Sequence, residues 1–200
     1  MFESDMTLAE TVNTDTQHIA RGLRHRDVAL LHALVEQYQY RLVRYFIFLL
    51  GVRDPVDDLV QETWLRVLER GHSYDGHSRF EPWLFAIARN LAIDHARKRR
   101  VFSLDSNDSD ERDLGPLSTV SSAASPFEQA ARTEDAQRLA HSLQTLQPIY
   151  REALVLRFQE DLSLQEISNV VGASVSTVSS RIYRGLAALR VQMDGGDYAK

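Results

Sequence analysis

The 200-residue chain has no cysteine, only five prolines and nine glycines, and no long apolar run. Without cysteine it can form neither disulfides nor thiolate metal sites, which fits a reducing cytosol. So few helix breakers leave room for long uninterrupted helices. The longest apolar stretch, Tyr45 to Val52, falls well short of the roughly 20 residues that cross a bilayer. No basic-then-apolar order marks the amino terminus as a secretion signal, so a cytoplasmic protein without membrane insertion is expected. The seven histidines form no His-Glu-x-x-His pattern, and neither a Gly-rich phosphate loop nor a nucleophile elbow occurs. No catalytic residue, metal site or cofactor is therefore expected, and the chain reads as a non-enzyme.

Charge is present but segregated. The net charge of −5 argues at first against nucleic acid. Yet residues 79–100 hold six Arg or Lys against two acids, and residues 174–191 hold three Arg and no acid. Residues 101–125 reverse this, with Asp105, Asp108, Asp110, Glu111 and Asp113 against Arg112 alone. Screening over about 8 Å in physiological salt makes such local fields, rather than their sum, govern phosphate contact.

Periodicity is helical throughout, and no strand-like alternation or Asn-Gly hairpin is present. From Asp27, the positions Leu30, Leu34, Tyr38, Leu42, Tyr45, Phe46 and Leu49 predict a long amphipathic helix stopped by Gly51. Asp54 and Pro55 open a second, with Asp57 and Asp58 near its positive end and Gly71 closing it. A capping box at Ser78 and Glu81 opens a third. Composition then turns to Asp, Ser and Gly, as in a flexible linker. Helices restart at Ser125 and at Pro148, and a further pair flanks Gly172. The expected architecture is all-α: a frayed terminus over 1–15, a helical domain over 16–100, an acidic linker over 101–125, a second helical domain over 126–193, and a tail over 194–200.

Three stretches stand out. In the second helix, Val56, Leu59, Val60, Thr63 and Val67 form a buried stripe, leaving Asp58, Gln61, Glu62 and Arg66 toward solvent as a plain charged face or a protein-docking face. The third helix carries core-type aromatics and ends in Arg97, Lys98, Arg99 and Arg100, a run whose self-repulsion a nearby polyanion would relieve. The loop before it offers Tyr74, an exposed aromatic that could meet an unstacked base. Ser163 to Leu186 reads as helix, Gly-centred turn and helix. Ser176, Thr177, Ser179, Ser180, Tyr183 and Arg184 project outward, short enough to let the second helix enter a major groove.

Together, Asp57–Val67, then Phe80-x-x-Trp83-Leu84-x-x-Ile87-Ala88-x-Asn90 with its trailing cations, then Leu143–Leu189, resemble bacterial RNA polymerase sigma factors of the extracytoplasmic-function (ECF) group. The resemblance covers about 25–100 and 130–190. It implies a region 2-like bundle and a region 4-like helix-turn-helix, acting with core RNA polymerase on promoter DNA, both duplex and melted strand. Asp58, Gln61, Glu62 and Arg66 would dock on the polymerase clamp. Tyr74, Gly76 and Asn90 match positions around a flipped-base pocket of the minus-ten element, with Arg97, Lys98, Arg99 and Arg100 on backbone phosphates. Ser176, Thr177, Ser179, Ser180, Tyr183 and Arg184 would face the minus-thirty-five element, although the family often has a basic residue at the Ser179 position. The acidic linker would lie in the polymerase's RNA path, and a cognate anti-sigma factor is implied as a partner. Two rival readings are a stand-alone helix-turn-helix regulator and a helical adaptor that binds proteins only.

Overall fold

Hydrophobic spacing becomes helix wherever the computed structural model describes the chain, which is over residues 15–105 and 134–194. The first body contains α1 (15–25), α2 (Val28–Leu50), α3 (Val56–Arg70), a 3-10 turn over Gly71–Ser73, and α4 (Phe80–Asp105). The second contains α5 (Glu134–Thr145), α6 (Pro148–Leu154) passing into a π-turn over Val155–Gln159, α7 (Leu164–Val171) and α8 (Val175–Asp194). Among the described residues there is no strand, so the all-α expectation holds.

Helix ends follow local chemistry. The Asp27 carboxylate accepts from the Ala29 and Leu30 amides at 2.9 and 3.2 Å, and Gly51 ends α2 in the left-handed region at φ 70°. Two ends differ from expectation. Pro55, not Asp54, occupies the cap position of α3 and makes no side-chain cap bond. Gly71 stays right-handed at φ −54° and runs on into the 3-10 turn. Its lack of a side chain matters for space instead, because a Cβ there would meet Leu23 Cβ at 3.0 Å.

Two helices run past the expected limits of their segments. Helix α4 continues through Asp105, so the first five residues of the expected 101–125 linker are helical, and α8 runs one residue past the expected 193. Residues 106–125 of the linker, the restart at Ser125, the first 14 residues and the tail after Asp194 lie outside the described residues.

Packing of the first body is aromatic. Leu34, Tyr38, Leu42, Tyr45 and Phe46 of α2 meet the α3 stripe and Phe80, Leu84, Phe85 and Ala88 of α4, all buried. Tyr38 and Tyr74 each stand edge-on to Phe80 at 5.4 Å, and Tyr45 to Phe85 at 5.1 Å. The second body closes Ile167, Val171 and Val178 around the bend between α7 and α8.

The two bodies are not separate. Val155, Leu156, Leu162 and Ile167 belong to the same continuous core as Tyr45, Phe85 and Ala88, and α7 packs on α4. Polar groups seal the seam. Glu160, 1% exposed, accepts from Arg41 Nε at 2.7 Å. Glu152 accepts from Tyr45 Oη at 3.0 Å and from Arg89 Nε at 2.9 Å. Burial, and then Glu152, push the Tyr45 hydroxyl well above its ordinary pKa, keeping it a donor. Arg151 donates to the Phe48 carbonyl at 2.8 Å and to the Leu146 carbonyl at 3.1 Å, and burial lowers its pKa.

The Gly76 backbone has φ 73°, and a Cβ there would lie 2.9 Å from the Thr16 carbonyl. Its own carbonyl accepts from Thr16 Oγ1 at 2.8 Å and Gln17 Nε2 at 3.2 Å, fastening the loop to α1. Gly76→Ala should therefore destabilise the first body by about 2 kcal/mol. An unchanged denaturant midpoint would contradict that assignment.

Candidate nucleic-acid interface

Helix α3 presents the predicted face. Its stripe of Val56, Leu59, Val60, Thr63 and Val67 is buried, with Thr63 Oγ1 donating to the Leu59 carbonyl at 2.7 Å. Asp58 and Gln61 are exposed, and Glu62 is half-buried where it pairs with Arg66 Nε at 2.9 Å. Arg66 also reaches Glu69 at 3.4 Å. Sequence reasoning missed the apolar part of this face. A shallow groove of about 610 Å³ between α2 and α3 is lined by Val35, Val43, Trp64, Leu65 and Leu68. Leu65 is 53% exposed, and the buried Trp64 Nε1 has no hydrogen-bond partner among the described residues. The signal was available, since Leu65 and Leu68 fall outside the stripe.

The α3–α4 loop corrects one expectation. Tyr74 is not an exposed aromatic: its side chain lies in a cluster with Phe80 and Trp83, and the residue is 2% exposed. Its hydroxyl donates to the Ser78 carbonyl at 2.6 Å. Burial, then Glu81, raise its pKa. The ring fills a hollow that three aromatics share, so it shapes the loop from beneath.

Asn90 is exposed and lies about 15 Å along α4 from the helix start. Arg97 follows two turns later on the same face, exposed and paired with Asp94 at 3.1 Å, and Lys98 is exposed beside it. Arg99 and Arg100 continue the helix, but their side chains lie outside those described. Thus Asn90, Arg97 and Lys98 form one solvent face, whereas Tyr74 and Gly76 are buried in the loop before α4.

In the second body the bend is built by caps. Ser163 Oγ accepts from the Glu166 amide at 3.2 Å while Glu166 accepts from the Ser163 amide at 2.7 Å. Gly172 ends α7 in the left-handed region at φ 64°. Ser174 Oγ then accepts from the Thr177 amide at 3.2 Å to open α8. Gly185 lets α8 lie close to α6, since a Cβ there would meet Leu154 Cδ1 at 3.0 Å. The outer face carries Ser176, Thr177, Ser179, Ser180, Tyr183 and Arg184, all exposed, with Tyr183 at 77%. A hollow of about 440 Å³ beside it adds Arg181, which the sequence reading passed over.

Comparison with known proteins decides the family. The Sigma-70 region 2 model matches residues 34–101, and the Sigma-70 region 4 model matches residues 136–189. The ECF RNA polymerase sigma factor SigW of Bacillus subtilis is 30% identical over 162 residues, covering 80% of this chain and 87% of SigW. The chain belongs to the ECF group of the sigma-70 family. SigM of the same organism is also 30% identical, over 163 residues that cover 82% of this chain and 94% of SigM. Among solved structures, the sigma factor RpoE of Bartonella quintana, in complex with the anti-sigma factor NepR, superimposes with a TM-score of 0.66 at 24% identity. That match covers 82% of this chain and 96% of RpoE. CnrH in complex with the cytosolic domain of CnrY gives 0.63 at 24% identity, over 90% and 97% of the two chains. In ECF terms, α3 and α4 lie in region 2, and the α7–α8 bend lies in region 4. Among the described residues no helix is long and apolar enough to cross a membrane.

The buried position of Tyr74 makes its two substitutions diverge. Tyr74→Ala should cost about 3–5 kcal/mol of stability through the void it leaves, whereas Tyr74→Phe should cost about 1 kcal/mol for the lost bond to Ser78. Equal melting shifts for the two variants would show that the ring does not pack as described.

Proposed function

We propose that this chain is the promoter-recognition subunit of a bacterial RNA polymerase, working in the cytoplasm and making or breaking no bond itself. The observation that carries the reading is the match of regions 2 and 4, in order, on one chain; the exposure of Asn90, Arg97 and Lys98 on α4 and of Ser176, Thr177, Ser179, Ser180, Tyr183 and Arg184 on α8 supports it. Region 2 supplies Asn90, Arg97, Lys98, Arg99 and Arg100 for the opened minus-ten strand, with Tyr74 and Gly76 shaping the loop. Region 4 supplies Ser176, Thr177, Ser179, Ser180, Tyr183 and Arg184 for the duplex minus-thirty-five element.

Asp58, Gln61, Glu62 and Arg66, together with the Trp64–Leu65 groove, form the polymerase-docking face. An apolar floor ringed by charge suits a helical partner. Weak contacts by each DNA face become effective once polymerase holds both on one template. The sigma factor RpoE was solved with the anti-sigma factor NepR, and CnrH with the cytosolic domain of CnrY. A cognate anti-sigma partner is accordingly expected here.

Core polymerase reconstituted with this chain should initiate on members of a promoter library that core alone ignores, and absence of any such transcript would overturn the reading. Leu65→Asp should weaken core binding at least about tenfold without shifting the melting temperature, as expected for an exposed interface residue. Asn90→Ala should slow open-complex formation more than recruitment. Equal loss at both steps would remove Asn90 from the melted-strand role. Co-purification with core separates this reading from a stand-alone regulator.

A further inference from the structure

Gly185 brings α8 against the start of α6. A Cβ on it would lie 3.4 Å from Tyr150 Cβ as well as 3.0 Å from Leu154 Cδ1. The start of α6 is itself pinned, because Arg151 donates to the Leu146 carbonyl at 3.1 Å and to the Phe48 carbonyl at 2.8 Å. The hollow between the two helices therefore has fixed walls. Thr177, Ser180, Arg181 and Arg184 stand on one side, at the three- and four-residue steps of a single helix face, and Ile149 and Tyr150 stand on the other. Ile149 is 44% exposed there, an alkyl group set beside hydroxyls and guanidinium groups.

Each base offers a distinct edge in the major groove. Guanine suits a guanidinium, adenine a carboxamide, cytosine a carboxylate, and thymine an apolar group against its 5-methyl. Residues 174–191 include no Asn, Gln, Asp or Glu. Gln192, which follows, is turned to α5, where it accepts from Thr145 at 2.9 Å, and Gln165 on α7 donates to Asn169 at 3.3 Å. Gln147, the cap of α6, is not one of the hollow's walls. Adenine and cytosine edges thus find no matched reader in the hollow. Hydroxyls pair with donors and acceptors alike, so they choose weakly. Those of Ser176 and Thr177 lie on the Ser174 hydroxyl at 3.0 and 2.8 Å, and the same oxygen accepts from the Thr177 amide at 3.2 Å. With its oxygen committed to the cap, Thr177 keeps its γ-methyl as the group it can offer a base.

We propose that Ile149 and the methyl of Thr177 enclose the 5-methyl group of a thymine in the minus-thirty-five duplex, so that this chain selects a T·A pair there by apolar contact. Arg181 and Arg184 supply the positive charge that seats the duplex. The inference rests on the promoter-recognition reading and deepens it. It names the chemical feature that is read, and it adds Ile149, a residue outside the recognition helix, as a determinant of specificity.

The test uses holoenzyme made from core polymerase and the full chain, on a promoter that it transcribes from the library. Each thymidine of the minus-thirty-five element, on either strand, is replaced in turn by deoxyuridine, which keeps the pairing edge and O4 but lacks the methyl. At one position the replacement should weaken initial promoter binding about fourfold, the worth of one buried methyl group. Ile149→Ala and Thr177→Ser should each erase most of that penalty, since each removes one side of the enclosure, and a double-mutant cycle reads such coupling directly. Thr177→Ser keeps the hydroxyl and with it the bond to Ser174. Val191→Ala, at a position 73% exposed and outside the hollow's walls, should keep the full penalty.

Absence of a penalty at every position overturns the proposal, as does a penalty that survives either hollow variant or one that Val191→Ala erases equally. A minus-thirty-five element selected without any T·A pair overturns it too. Should Ile149→Ala fail to fold, Thr177→Ser decides alone. Transcription by the wild-type holoenzyme is read separately. Transcripts with equal binding to thymidine and deoxyuridine templates sink this inference alone, and no transcripts on any promoter sink the reading beneath it.

Discussion

Glu160 is the point on which the described arrangement depends. A carboxylate with 1% of its surface left to solvent would be intolerable without its 2.7 Å bond to Arg41; leaving such a charge uncompensated costs about 3–5 kcal/mol. The partner lies 119 positions away in the sequence. One bond thus ties the second helix of region 2 to the π-turn of region 4. Glu152 repeats the device elsewhere in the seam with two donors, Tyr45 and Arg89. Because both acids need region 2 to be neutralised, the closed arrangement is specified by charge as well as by apolar contact.

The π-turn follows from the same requirement. Over Val155–Gln159 the helix widens, and the Glu160 amide bonds back to the Val155 carbonyl at 3.1 Å. Asp161 then takes a positive φ of 52° without being glycine. Insertions of this kind re-aim side chains at sites that need them. Here the consequence is that Glu160 turns inward, whereas the carbonyl of Asp161 faces Arg79.

Much of the fold was legible because its signals are local. Asp27, Gly51, Ser163, Glu166 and Gly172 act on neighbours within one helical turn, so residue type and spacing sufficed to place those helix ends. The α3 stripe and the outward face of α8 followed from period alone. Tertiary facts were not legible in this way. Tyr74 looked like a loop aromatic, and only the positions of Phe80 and Trp83 in space show that it is buried. Glu152 and Glu160 carried no sequence mark separating them from solvated acids, because their partners come from another body. Leu65 and Leu68 were an overlooked local signal: apolar residues outside the buried stripe ask for a cover.

The continuation of α4 through Asp105 has a mechanical meaning. Between that residue and Glu134, where α5 is first described, lie residues 106–133. Even drawn taut, such a segment spans no more than about 105 Å at the maximum rise per residue. Covalent length alone therefore sets an upper bound on how far apart on a template the two halves can sit. Each residue that joins the α4 rod gives up more than half of its possible contribution to that reach, since a helix advances only about 1.5 Å per residue.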